Sequence, residues 1–370
     1  MAKKPLKLAG QAIDTANERL LSDAIRHAVY NERLKTYEAN KIIQFLEQDV
    51  FKDLIDKLRI RISKITERGF DVGPATTRRI RTMLGDINDI IGSGVKEANL
   101  VLVGDLKQIA IHESEWQVKT LTNATPDALK ITYQIPTPTQ LNTIITSDPM
   151  QGDILKKWGQ RLSASSQEEL RRAVQIGMVE GESIPKIVNR VAGADSASVF
   201  NKIKRNVASY TRTAISHVNN RAAETTWQEN EDMIKGVVYV ATLDSRTTLI
   251  CMGLDGEVFK VGNGPRPPQH YNCRSTTAPA LKSWKELGIK ASEIPAGTRA
   301  SMNGQVPKEM TYNDWLKKMD ANPKTQHLVN DALGRDRAKL FREGVSVQKF
   351  TDSNNSPLTL AEIRVKEGMA

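Results

Sequence analysis

Between Gln11 and Leu121 apolar residues return every three or four positions while charges fill the intervals, a period that only amphipathic helices satisfy. Leu54, Leu58, Ile62 and Ile65 make one stripe, and Ile80, Met83, Ile87, Ile90 and Ile91 make another. Val95, Ala98, Leu102, Leu106 and Ile109 continue the pattern after Gly92-Ser93-Gly94, which is expected to break it, and Gly73-Pro74 separates the first two stripes. No heptad persists long enough for an extended coiled coil, so packed helices are expected. Aromatic residues are only 5% of the chain, which suits helices better than a β-sandwich.

From Asn123 to Pro149 the texture changes, because Pro126, Pro136, Pro138 and Pro149 interrupt a Thr-rich stretch that reads as a connector. Helices resume at Ser165–Glu169, a candidate cap, with Leu170, Ala173, Val174, Gly177 and Met178 on one face and a break at Glu180–Ser183. A short helix carries Ile184, Ile187, Val188 and Val191, and a longer one runs from about Val199 to Trp227. Val237–Ala241 reads as a strand, and Glu257–Val261, after the turn dipeptide Asp255-Gly256, reads as its hairpin partner. Helices near Trp315 and over Asp336–Glu343 precede a polar tail, and no internal repeat is visible. The expected organisation is mainly α: a helical region over 1–122, a connector over 123–159, a central helical domain with a small β-hairpin and an irregular loop element over 160–280, and a helical and extended C-terminal arm over 281–370.

With 370 residues, 39% of them hydrophobic, the chain can build real cores, which excludes disorder throughout. Two cysteines exclude a disulfide-stapled secreted scaffold and fit a protein made in the reducing cytoplasm. No stretch approaches the ~20 apolar residues of a membrane helix, and no apolar segment follows Met1–Pro5, so no membrane partner and no export signal are expected. Lys plus Arg is 53 against 43 Asp plus Glu, a net charge of +10 that permits a polyanionic partner. Lys202, Lys204, Arg205, Arg212 and Arg221 occur with no acid between Phe200 and Ala223, and Lys57, Arg59, Arg61, Lys64, Arg68, Arg78, Arg79 and Arg81 form a second basic run. Of these, Lys202, Lys204, Arg205, Arg78, Arg79 and Arg81 are the candidates for contact with nucleic acid; the alternative is that each run is a solvated helix face.

The densest cluster of unusual residues lies between Thr242 and Ser275, where Cys251, His270 and Cys273 are suitable ligands for zinc. A fourth ligand is missing locally, with Asp244 and His217 as the candidates. The competing reading makes the cysteines small buried hydrophobes and Asp244, Arg246 and Arg274 a hydrogen-bonded brace. A disulfide is the third reading.

The run Asp244-x-Arg246-Thr247-x-x-x-Cys251, the turn Leu254-Asp255-Gly256, and Gly264-Pro265-Arg266-Pro267-Pro268-x-His270-x-x-Cys273-Arg274-Ser275-Thr276-Thr277 resemble the signature of the Mu F-like minor head proteins, the phage head morphogenesis family. Upstream, Gly177–Ile184 and Arg212-Thr213 with Asn219 and Arg221 are similar to that family's helix break and Arg-Thr helix, so the resemblance spans about Gln160 to Pro279. Residues 297–307 and Thr311-Tyr312 with Trp315-Leu316 resemble the tail of one subgroup. Many members carry Cys-x-x-Cys and Cys-x-Cys, a full zinc knuckle; here Thr248 and Ser275 stand at the additional cysteine positions, which weakens the metal reading.

No cofactor is expected apart from the zinc alternative, and the resemblance implies a structural role: a minor capsid protein inside the head of a tailed bacteriophage, near the portal, with the portal protein and other head proteins as partners and packaged double-stranded DNA as a further one. A DNA-binding protein ejected with the genome is the alternative. Enzymatic readings find little to rest on. Glu113-Ser114-Glu115, Glu180-Gly181-Glu182 and Glu229-Asn230-Glu231 all precede Ser275-Thr276-Thr277, the wrong order for the ADP-ribosyltransferases fused to some relatives, and no phosphate-binding Gly-x-x-x-x-Gly-Lys-Ser/Thr loop occurs.

Overall fold

A computed structural model describes residues 9–66, 74–125, 131–282, 298–307 and 310–369. Arg68, Gly73, Pro126, Trp284 and Gly297 lie outside these, as do the side chains of Ile65, Arg79 and Ile80. The described chain is mainly helical, with helices α1 (Ala9–Phe45), α2 (Lys52–Thr66), α3 (Pro74–Ala124), α4 (Pro138–Thr146), α5 (Leu155–Val179), α6 (Ile184–Ala192) and α7 (Val199–Gln228) preceding the first strand. Two compact units interleave along the sequence, one of Arg33–Ile109 and Asn142–Val218, the other of Met1–Glu32, Ala110–Leu141 and Asn219–Ala370.

In the first unit the expected stripes are the core: Leu54, Leu58, Ile62, Met83, Ile87, Ile91, Val95, Ala98, Leu102 and Leu106 are buried. Gly92-Ser93-Gly94 does not break the helix, contrary to expectation, and α3 runs through it unbroken. The glycines serve close approach instead. A Cβ on Gly92 would lie 2.2 Å from the Gln167 amide nitrogen, and one on Gly94 would lie 2.5 Å from the Val50 methyls. Gln167 uses the room to donate to the Asn88 carbonyl at 3.0 Å. Ser165–Glu169 is likewise not a helix start. α5 already runs from Leu155, and the Ser166 hydroxyl bonds back one turn to the Leu162 carbonyl at 2.7 Å. α5 ends where Gly181 takes φ +66°, and Glu182 then receives the Arg190 guanidinium at 2.8 and 3.1 Å.

In the second unit, strands β1 (Ile234–Val240), β2 (Val258–Phe259) and β3 (Thr276–Leu281) make an antiparallel sheet ordered β2-β1-β3. The expected hairpin partner is the minor one. β2 pairs only Val237 with Phe259 and Val238 with Val258, and helix α8 (Leu249–Leu254) intervenes before it. The main partner is β3, where Pro279 sits opposite Val237; a proline is tolerated there because β3 is an edge strand. Strands β4 (Thr298–Ser301) and β5 (Gly304–Pro307) form a separate hairpin.

The C-terminal stretch then folds into α9 (Tyr312–Asp320), α10 (His327–Leu333), α11 (Arg335–Arg342) and α12 (Leu360–Lys366). Capping boxes start α9, from Thr311 and Asp314, and α12, from Thr359 and Glu362. Trp315, Leu316, Val347, Phe350 and Ile363 share one apolar cluster with Tyr239, Cys251, Met252 and Cys273, so the central loop element and the C-terminal helices have a common core. Among the described residues no helix is long and apolar enough to cross a membrane.

Candidate structural centre at the Asp244–Ser275 loop element

Strand β1 hands the chain to a turn organised by Asp244. Its Oδ1 accepts from the Arg246 backbone at 2.9 Å, the Thr247 hydroxyl at 3.3 Å and Arg274 Nη2 at 2.8 Å, and its Oδ2 accepts from Arg274 Nη1. Burial works against the Asp244 charge, but the Arg274 guanidinium and the Arg246 amide outweigh it and hold the carboxyl below its ordinary pKa. The expected brace therefore needs one change of partner. The Arg246 side chain is 79% exposed and 3.9 Å from the carboxylate, so this residue contributes its backbone N–H while Arg274 supplies the fork.

Asp255 is the second organiser and is 2% exposed. One carboxylate oxygen accepts from the Ala241 backbone and the other from the Tyr312 backbone, both at 2.8 Å. The end of β1 and the first residue of α9 are thus held by a single side chain. Gly256 follows at φ +83°, and its N–H donates to the Tyr239 carbonyl at 2.9 Å. Tyr312 adds a hydroxyl bond to the Asp244 carbonyl at 2.6 Å.

The two cysteines are free thiols, both buried. Cys251 Sγ lies 3.7 Å from Cys273 Sγ, 3.5 Å from His270 Nε2 and 3.3 Å from the Tyr239 hydroxyl. His270 Nδ1 lies 2.9 Å from the Tyr271 carbonyl, which can only accept, so Nδ1 carries a proton and Nε2 faces the sulfurs. Hydrogen bonding from Cys251, then from His270, draws the Cys273 thiol well below its ordinary pKa; Cys251 is pushed up by Cys273 and by burial, and His270 is raised by Cys273.

Cys251, His270 and Cys273 bring their ligand atoms within 4.8 Å of one another. Tetrahedral zinc with ordinary bond lengths implies edges of about 3.8 Å between sulfurs and about 3.5 Å from sulfur to nitrogen, and the observed 3.7 and 3.5 Å fit. These three residues would hold the ion, which would cross-link α8 to the following loop. The suggested fourth ligands do not join them: Asp244 is engaged by Arg274, and His217 belongs to the other unit, 3.8 Å from Asp148. Of the residues at the additional cysteine positions, Ser275 is hydrogen-bonded to Tyr239 and Cys251, while the buried Thr248 hydroxyl has no hydrogen-bond partner.

One anchor escapes the sequence reading. Glu224 on α7 receives Arg266 through Nε at 2.6 Å and Nη2 at 3.0 Å, and it also accepts from the Gly262 backbone. Arg266 further donates to the Lys260 carbonyl at 2.9 Å and lies over the Phe259 ring at 5.8 Å. The signal available was a lone acid in an otherwise uncharged turn, Ala222-Ala223-Glu224-Thr225-Thr226.

The basic candidates belong to the other unit. Lys202 meets Glu169 at 3.3 Å and Lys204 meets Glu47 at 2.9 Å, so the run without local acids is partly neutralised from neighbouring helices. Arg205 is exposed and donates to the Ser196 carbonyl at 2.7 Å. Arg78 and Arg81 are exposed on α3, and the Arg79 side chain is outside the described set.

No curated protein and no solved structure matches the chain. Residues 167–278 match the model of the family described as Phage Mu protein F like protein, a span that begins within α5, includes Glu224, Asp244, Asp255, Arg266 and the Cys251/His270/Cys273 trio, and ends in β3. Over that span, and on the residues that build the loop element, the chain is similar to the Phage Mu protein F like family.

Proposed function

We propose that the chain is a structural minor head protein of a tailed phage, placed at the portal vertex on the inside of the head and acting in head assembly. The match over 167–278 carries this reading. The chemistry of the loop element supports it: Asp244, Asp255, Glu224, Arg266 and Arg274 are engaged with one another or with backbone amides, as braces are. In this reading 160–280 is the head morphogenesis region, with 281–370 completing the core of its loop element and 1–122 and 123–159 as the helical region and connector before it. Virion images reconstructed without imposed symmetry test it. Density for the chain on the inner face of the portal vertex is expected, and density confined to the outer shell would refute it.

Contact with packaged DNA is the finer part of the proposal and rests on exposed Arg78, Arg81 and Arg205. Affinity for duplex DNA should fall steeply with salt, because each neutralised phosphate releases counterions. A salt-independent affinity would exclude it. The ejected DNA-binding protein predicts the same salt slope, together with loss of the chain from emptied virions.

The edge lengths at Cys251, His270 and Cys273 favour a second reading of the element, as a zinc site with three protein ligands. Elemental analysis of the purified full chain is expected to return one zinc per molecule, and substoichiometric zinc would remove it.

A further inference from the structure

A second constellation lies in the same unit as the loop element, built on α1 and α3 from residues outside the family signature. The His27 ring is stacked on Trp116 at 3.7 Å and 5°, and its other neighbour is Tyr30 at 5.5 Å and 15°. The stack is fixed from behind: Glu113, 3% exposed, accepts from His27 Nε2 at 2.6 Å and from the Gln117 amide at 2.8 Å, while Gln117 accepts from the Trp227 indole at 3.1 Å. Such a chain of buried bonds leaves the rings little freedom.

In front of the stack is an open cleft of about 480 Å³. Tyr30 is 46% exposed and Trp116 is partly exposed, so neither ring is sealed into a core. His112 joins from α3 with its ring 6.1 Å from Tyr30. Lys119 and Arg26, both exposed, stand at the rim; Asp23 lies 4.0 Å from Arg26 and offsets one of these two charges. Rigid aromatic surface open to water beside a net positive rim is the combination that binds a planar heterocycle carrying a phosphate.

We propose that this cleft binds a nucleoside phosphate, with the base stacked on the open aromatic surface of Tyr30 and Trp116 and the phosphate held by Lys119 and Arg26. The ligand can be a free nucleotide or the unpaired end of a nucleic-acid strand, since both present the same chemistry. A base paired within a duplex does not offer its face, so this site is separate from the backbone contacts of Arg78, Arg81 and Arg205.

The test uses the full chain and three probes: a 5′-labelled ten-residue oligothymidylate, the corresponding duplex, and thymidine monophosphate as competitor. Tighter binding of the single strand than of the duplex is expected. Tyr30→Ala and Lys119→Glu, both exposed positions, should each weaken single-strand binding about fivefold or more, with unchanged circular dichroism. Arg205→Glu should weaken duplex binding alone, which separates this proposal from the DNA contact proposed above. Competition by the mononucleotide identifies a free nucleotide as sufficient, and its absence identifies the strand end. Equal affinity for single strand and duplex, or wild-type single-strand binding in both Tyr30→Ala and Lys119→Glu, overturns the proposal.

Discussion

Arg266 and Glu224 form an ion pair with side chains only 6% and 3% exposed, closed by two parallel bonds that join the last turns of α7 to the proline-rich loop. A pair so far from water is held by mutual need, because each charge alone would be stranded in a poorly solvating interior.

Removing one partner should therefore be costly. Arg266→Ala or Glu224→Ala is expected to lower stability by about 3–5 kcal/mol, read by chemical denaturation. The double substitution Glu224→Leu with Arg266→Met should recover much of that loss. A double variant no more stable than either single one would show that the pair's geometry, rather than its charge balance, matters.

Asp244 separates two arginines that look alike in sequence. Arg274→Ala should cost about 2 kcal/mol, since it leaves a buried carboxylate without its fork, whereas Arg246→Ala should fall within about 0.5 kcal/mol of wild type. The pH dependence has a definite sign. The folded-state pKa of Asp244 is depressed, so its contribution is present above the unfolded value of about 3.9 and is lost as pH falls through the lower folded value. The gap in melting temperature between wild type and Arg274→Ala should be full at pH 7 and shrink below about pH 4. A gap independent of pH would sever the link to Asp244.

Two glycines two positions apart on α3 should respond differently to the same change. Gly94→Ala meets the stiff, branched Val50 side chain and is expected to destabilise by about 1–3 kcal/mol. Gly92→Ala meets the far end of Gln167, which can swing aside, and the gain in helix propensity of roughly 1 kcal/mol should bring it near neutral. Thermal melts of the two variants decide this, and equal losses would contradict it.

Asp255 ties the end of β1 to the start of α9, so Asp255→Ala should strand two buried amides and cost about 2–4 kcal/mol. Limited proteolysis would report it as faster cleavage between β5 and α9. Wild-type resistance would show that the apolar cluster alone holds the C-terminal helices.

The helical stripes were legible because burial imposes a period, and Leu54, Leu58, Met83 and Ile87 obey it whatever they pack against. Other features depend on partners distant in sequence. The unbroken path of α3 through Gly92-Ser93-Gly94 depends on Gln167 and Val50, which no local rule contains. β3 was hidden by Pro279, a residue that argues against a strand until its edge position is known. The cysteine cluster stood out through residue type alone, but whether Arg246 or Arg274 reaches Asp244 is decided by the turn, and the partnership of Glu224 with Arg266 spans 42 positions.

The cluster around Cys251 and Cys273 takes much of its apolar lining from Trp315, Phe350, Val347 and Ile363, all beyond the stretch that matches the family. The matched stretch is accordingly not an autonomous folding unit in this protein. A chain ended after Leu281 would bare the inner faces of Tyr239 and Met252 and leave one oxygen of Asp255 without its amide, so it should aggregate on expression rather than yield a portable module.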